Sequence, residues 1–344
     1  MYKSSTTITK IYRNKFSFEY NCFSTITENN KVLKFSTLSF KGEIVNEFNH
    51  SEVFDFFNLD KQRIIVTSSD GETSYLLNNN SIKKLDFSIV NAEYIDYKHF
   101  SAFTKKGKDL FYEIFDAQTL NTKLSILYTR GFWQPDVKND RYIYWIDHNL
   151  FVYNMICELK WQLDVSKTHA TDDVLFGKRS GEISTVIPYN EFLIVFAGTK
   201  MIKFQAEDGK LVDEVEIGFT ISRNAIIYKN QLFYFGNAGY RIFCPDNFEQ
   251  KSKITLQKQF YDGKELGLNA TGFTFYNDIL WFASHEYVNY VAGVNPFTGE
   301  LKELLIMPVS NGAALDTPKF YKNKVFIRDS NSNLFVFEKG SNIL

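Results

Sequence analysis

The chain has 344 residues, 44% of them hydrophobic and 17% aromatic, enough apolar material for a large buried core and too much for an intrinsically disordered chain. Lys plus Arg total 39 against 40 acidic residues, so the formal charge of -1 gives no long-range pull toward nucleic acid or anionic lipid. Cys22, Cys157 and Cys244 are odd in number and far apart, which excludes a disulfide framework and a Cys-x-x-Cys metal pair.

Met1 to Ile8 lacks the continuous apolar run of a secretory signal, and no later stretch reaches the roughly 18 apolar residues of a membrane span. The expectation is a cytoplasmic chain with no membrane segment. From there one pattern repeats: an apolar residue, usually Tyr, a polar pair rich in Asn, then a strand of β-branched and aromatic residues. It appears as Tyr12-Arg13-Asn14 before Phe16, Leu59-Asp60-Lys61 before Ile64, Tyr97-Lys98-His99 before Phe100, and Val137-Lys138-Asn139 before Tyr142. It continues as Tyr189-Asn190, Tyr228-Lys229-Asn230, Tyr276-Asn277 and Tyr321-Lys322-Asn323. The last copy is the clearest. Phe320 to Phe337 reads as three strands, with turns at Lys322-Asn323 and Ser330-Asn331-Ser332-Asn333, where Asn tolerates left-handed backbone.

The eight copies recur on average about every 44 residues, the size of one four-stranded propeller blade. The expectation is an all-β, single-domain β-propeller over residues 1–344 with eight blades, seven being the alternative count. Little chain follows the last copy, so Tyr2 to Thr7 is expected to supply the outer strand of the final blade and close the ring. The first unit is the least regular, because Cys22 to Asn30 separates its second and third strands in this reading.

A second signal follows the third strand of most units, a turn of the type Asp-x-x-Thr-Gly before a charged strand. It is seen in Asn295-Pro296-Phe297-Thr298-Gly299, Glu207-Asp208-Gly209, Phe40-Lys41-Gly42 and Cys157-Glu158-Leu159, and without glycine at Asp116 and Asp246. This blade resembles that of the pyrroloquinoline-quinone-like propeller superfamily, which includes quinoprotein dehydrogenases and non-catalytic scaffolds such as the outer-membrane assembly lipoprotein. The resemblance implies that a Trp four residues after the turn glycine docks neighbouring blades. Trp161 alone occupies that place here, with Asn46, Asp213 and Glu303 standing there in other units. The quinone enzymes carry a vicinal disulfide, and this chain has no adjacent cysteines, so the resemblance points to a non-catalytic member without cofactor.

No His-x-His or His-Glu-x-x-His spacing occurs among the five histidines, so no catalytic or metal-ligating residue is assigned. Propeller sites form where blade connections and second-hairpin turns converge on the channel. The longest connection, Ser166 to Gly181, offers His169, Asp172, Asp173, Phe176 and Arg179; two aromatic turns add Trp133, Phe260 and Tyr261. Such residue types anchor protein interfaces. Asp147-His148-Asn149, Ser284-His285-Glu286 and Asp329-Ser330-Asn331 mark the channel rim, with no evident acid–base pair. The resulting expectation is a monomeric, non-catalytic scaffold that binds another protein, as an assembly factor or toxin-neutralising immunity protein. The alternative is an enzyme or glycan-binding lectin using a central pocket.

Overall fold

The structure is a computed structural model that describes residues 2–13, 15–18, 22–29, 32–48, 52–60, 62–78, 81–128, 131–154, 156, 158–166, 171–173, 177–179, 182–217, 225–236, 239–256, 259–261, 264–266, 273–283, 290–307 and 314–340. Eight four-stranded antiparallel sheets follow one another as the blades of a propeller ring. Seven are meanders of consecutive strands spanning 17–47, 53–84, 88–127, 132–164, 183–216, 225–255 and 273–306. Blade 8 combines Lys319–Tyr321, Lys324–Arg328 and Leu334–Lys339 with Tyr2–Ile8, so the eight-blade count and the closing N-terminal strand are both observed.

Each strand pair leaves two apolar faces that a lone blade cannot bury, and packing blade on blade solves this. Eight separate hydrophobic clusters result, one at every seam. Closure is visible in the strand Tyr2–Ile8, whose Tyr2 packs in the cluster between blades 7 and 8 while Ile8 packs in that between blades 8 and 1. At the latter seam Phe326 is fully buried amid Phe16, Phe18, Phe23 and Phe40, a burial worth roughly 1.5–3 kcal/mol.

The repeated Asn turn joins the first and second strands. Lys229-Asn230 and Asn277-Asp278 both have positive φ, from 48° to 60°, the geometry of a two-residue hairpin turn matched to strand twist. The Tyr before the turn bridges seams: Tyr228 stacks on Phe275 of the next blade at 3.9 Å and donates its hydroxyl to Asp278. Tyr276 does the same to Phe320, at 4.3 Å, and to the Lys322 carbonyl. Trp161 docks as the resemblance implied. Its Nε1 donates to the Ala206 carbonyl at 2.9 Å, and its ring covers Gly209, where a Cβ would lie 2.9 Å from the ring. At another seam Ile254 fills this role, lying 2.6 Å from where a Cβ on Gly299 would stand.

Two expectations are corrected. Tyr12-Arg13-Asn14 is not the first Asn turn: Ile11 already pairs with Thr27, and the first and second strands of blade 1 are Ser17–Phe18 and Cys22–Asn29, their turn lying outside the described residues. The Tyr-x-Asn pattern misled because Tyr12 and Arg13 come before blade 1's first strand, Ser17–Phe18, rather than after it. Cys22 to Asn29 is therefore a strand itself, not a separation. The connection Ser166 to Gly181, read as a loop, also contains a small hairpin, Thr171–Asp173 with Gly177–Arg179.

Glu113, a charged side chain almost fully buried in blade 3, accepts from Thr104 at 2.7 Å and pairs with Lys106 at 2.6 Å. Burial alone would raise its carboxyl, but hydrogen bonds from Lys106, Ser125 and Thr104 outweigh that and hold it below the ordinary glutamate range. A lowered folded pKa adds stability above the unfolded value that is lost as pH falls through the folded one. The destabilisation of Glu113→Gln, read by urea unfolding, is therefore expected to shrink as pH drops from neutral toward the lower folded value. A deficit that stays constant across that range would contradict this account.

Candidate functional site

An antiparallel meander places its turns alternately at two ends. First-to-second and third-to-fourth turns share one end of the ring; blade connections and second-hairpin turns share the other, here termed the connection end. First strands of successive blades come together, Val53–Asn58 with Ser88–Tyr94 and Ile183–Tyr189 with Ala225–Tyr228, which makes them the inner strands around the channel. Inner strands begin at the connection end, so their first residues form the channel mouth.

At that mouth Phe132 opens blade 4's inner strand, Phe132–Asp136. It is 41% exposed, with its ring stacked on Trp145 at 5.4 Å. Gly131 sets its position. The φ of +110° there, with Tyr144 2.5 Å and the Trp145 carbonyl 2.7 Å from where a Cβ would stand, admits only glycine beside the sheet. Strand alternation sends the neighbouring Trp133 the other way. Its ring is half-buried between Tyr112 at 5.2 Å and Tyr144 at 4.3 Å, in the seam of blades 3 and 4. On the opposite flank, Arg13 of blade 1 lies over the ring of Phe54, the second residue of blade 2's inner strand, at 3.9 Å.

Asp172, Asp173 and Arg179 fall on the small hairpin between blades 4 and 5, in register with Lys178, Gly177 and Thr171. His169 and Phe176 lie outside the described residues, as do Ser284-His285-Glu286. Phe260 and Tyr261 occupy a second hairpin, Gln259–Tyr261 with Lys264–Leu266, between blades 6 and 7, paired with Glu265 and Lys264. The candidate residues thus sit on two hairpins of the same end, separated by blades 5 and 6, with Trp133 outside that arc in the seam of blades 3 and 4.

Buried charges elsewhere are consumed by architecture. Asp329, fully buried in the second-hairpin turn of blade 8, accepts from the Asn333 backbone at 2.8 Å and its side-chain amide at 2.9 Å. Lys203 donates to the Asp246 carbonyl and lies over Phe248 at 4.5 Å; burial pushes its amine down. His148 stands 3.9 Å from Asp164, both partly exposed. Among the described residues no three His, Cys, Asp or Glu side chains gather at metal-binding distance. A polar depression of about 400 Å³ opens at the seam of blades 8 and 1, lined by residues such as Lys10, Glu28 and Asn333.

Sequence reasoning passed over Phe132 and Arg13. Phe132 was out of reach because both faces of a blade pack into seams, so strand alternation alone does not say which member of the Phe-Trp pair stays exposed. Nothing in the sequence ties Arg13 to Phe54.

No family model matches the chain, and no curated protein was found to match it. Solved structures do. The computationally designed Ika8 protein aligns at 9% identity and TM-score 0.62, covering 98% of this chain and 99% of its own. BamB from Moraxella catarrhalis aligns at 12% and 0.60, covering 98% and 100%, and Sqt1 from Saccharomyces cerevisiae at 11% and 0.60, covering 98% and 99%. BamB and Sqt1 are propellers, and 1040 solved chains match this one, so the likeness establishes architecture and leaves activity open.

Proposed function

We propose that this propeller is a non-catalytic scaffold that binds another protein at its connection end. The observation that carries the reading is an aromatic side chain held exposed at the channel mouth by the inner strand of blade 4. Buried charges such as Glu113, Lys203 and Asp329 are spent on the fold, whereas the mouth presents Phe132 41% exposed on a rigid inner strand. An aromatic held by a sheet loses little freedom on binding, which is what an interface anchor needs. The hairpins bearing Asp172, Asp173, Arg179, Phe260 and Tyr261 belong to blade connections of the same end and would add to the binding surface. On this reading the protein works as a cytoplasmic monomer, as an assembly factor or a toxin-neutralising immunity protein, without nucleic acid, membrane or cofactor.

An affinity pull-down from the native host, read by mass spectrometry, tests it. One stoichiometric protein partner is expected, lost when residues 166–181 are replaced by a short Gly/Ser linker and weakened by more than about 2 kcal/mol in Phe132→Ala combined with Phe260→Ala. Absence of any partner, with metabolites or glycans retained instead, would overturn the scaffold reading.

A further inference from the structure

The five arginines whose surroundings are described divide sharply. Four of them cross seams. Arg328 of blade 8 donates to the Ile11 and Tyr12 carbonyls of blade 1 at 2.7 and 2.6 Å. Arg141 of blade 4 reaches the Asn190 carbonyl of blade 5 at 3.2 Å, and Arg63 of blade 2 the Gln118 carbonyl of blade 3 at 2.9 Å. Arg241 of blade 6 donates to the Ile217 carbonyl at 2.7 Å. Arg13 differs. The residue is half-buried, with its guanidinium carbon over the Phe54 ring 3.9 Å from the centroid, yet among the described residues it has no carboxylate and no hydrogen-bond acceptor.

Nearby acids do not neutralise it. Asp55, buried beside Phe54 in sequence, is saturated by Lys15 at 2.8 Å and by the backbone amides of Phe56 at 2.9 Å and Asn91 at 2.8 Å. The exposed Glu52 makes no ion pair with Arg13. What remains is a fork of up to five N–H donors, pre-oriented by an aromatic platform at the channel mouth and partly stripped of water. A planar, delocalised cation of this kind matches a planar two-oxygen anion through paired hydrogen bonds. A phosphate site draws on several cations or a nest of backbone amides; among the described residues only this guanidinium lacks a counter-charge here, and Lys15 is already committed.

Resting on the scaffold reading above, we propose that Arg13, held on Phe54, is the receptor for an Asp or Glu carboxylate of the protein partner. The acidic side chain enters the mouth between blades 1 and 2 and takes both oxygens onto the guanidinium. Phe132 and the hairpins then contact the apolar remainder of the partner.

The test uses the full chain and three probes, a hexaglutamate peptide, a hexaglutamine peptide and inorganic phosphate. The reporter is the Arg13 Nε–Hε nuclear magnetic resonance signal, assigned by its disappearance in Arg13→Gln. Hexaglutamate is expected to shift that signal and hexaglutamine to leave it. Affinity for hexaglutamate should fall about tenfold in Arg13→Gln and by a smaller factor in Phe54→Leu, which frees the guanidinium from its platform. Arg13→Gln should melt close to the parent chain, since it removes the contact with Phe54 but no hydrogen bond to a described residue; Arg13→Lys, which keeps charge without the fork, gives an intermediate loss and serves if Gln disturbs folding. Equal hexaglutamate affinity in the parent chain and these variants overturns the proposal, as does a signal that only phosphate moves. A host partner retained undiminished by Arg13→Gln would also overturn it while leaving the scaffold reading standing.

Discussion

A chain lacking residues 1–8 is expected to melt at least about 10 °C below the full chain, or to fail to unfold cooperatively. Tyr2–Ile8 pairs with the third strand of blade 8 from Tyr2 against Lys339 to Ile8 against Leu334. Its loss strips ladder hydrogen bonds worth roughly 0.5–1.5 kcal/mol each and exposes the sites of Tyr2 and Ile8, each worth about 1.5–3 kcal/mol. The sum is about 5–10 kcal/mol, and 1 kcal/mol moves the midpoint of a large domain by roughly 2 °C. Two clusters would be breached together, because the strand's faces serve different seams. A circular-dichroism melt checks the shift, and a synthetic peptide of Tyr2 to Ile8 added in excess should restore part of it. An unchanged midpoint would show that blade 8 does not depend on its fourth strand.

The second large effect is at blade 4. Arg141 and Asp136 are 5% and 7% exposed, with Nε donating to the carboxylate at 2.6 Å. Asn139 donates to the same carboxylate at 3.0 Å and to the Asn190 carbonyl at 3.1 Å, tying the pair to blade 5. Asp136→Ala leaves a buried guanidinium without its counter-charge, which costs about 3–5 kcal/mol. Adding Arg141→Met removes the orphaned charge, so the double variant should recover most of the loss. Urea unfolding of the four chains in a double-mutant cycle measures this. Additive losses would mean that the two side chains act independently, and the clamp would be discarded.

Fold and site were unequally legible in the sequence. Asn turns and alternating strands are local features, so the repeats from Leu59 onward, the blade count and the closing strand followed from spacing. The first repeat failed because Tyr12-Arg13-Asn14 has the right letters ahead of the first strand, Ser17–Phe18, where Ile11 already pairs with Thr27. Local propensity could not distinguish a hairpin turn from a stretch of the same residues leading into a strand. Contacts between blades were invisible for another reason. The partners in Trp161 on Gly209, Tyr228 on Phe275 and Arg13 on Phe54 lie more than 40 residues apart, and no short-range pattern records who meets whom. The family resemblance supplied the first of these. The other two needed coordinates, and so did the choice of Phe132 over Trp133 as the exposed member of an adjacent pair.

The closing strand also sets a timetable for biosynthesis. Tyr2 to Ile8 is made more than 300 residues before its partner, Leu334–Lys339. At ~10 residues per second, the early strand waits roughly half a minute on the ribosome without a neighbour. Throughout that interval the growing arc carries two open sheet edges and an uncovered apolar face at each end, a ready substrate for chaperones. Completion comes in one step, when the tail emerges and both ends of the arc are covered at once.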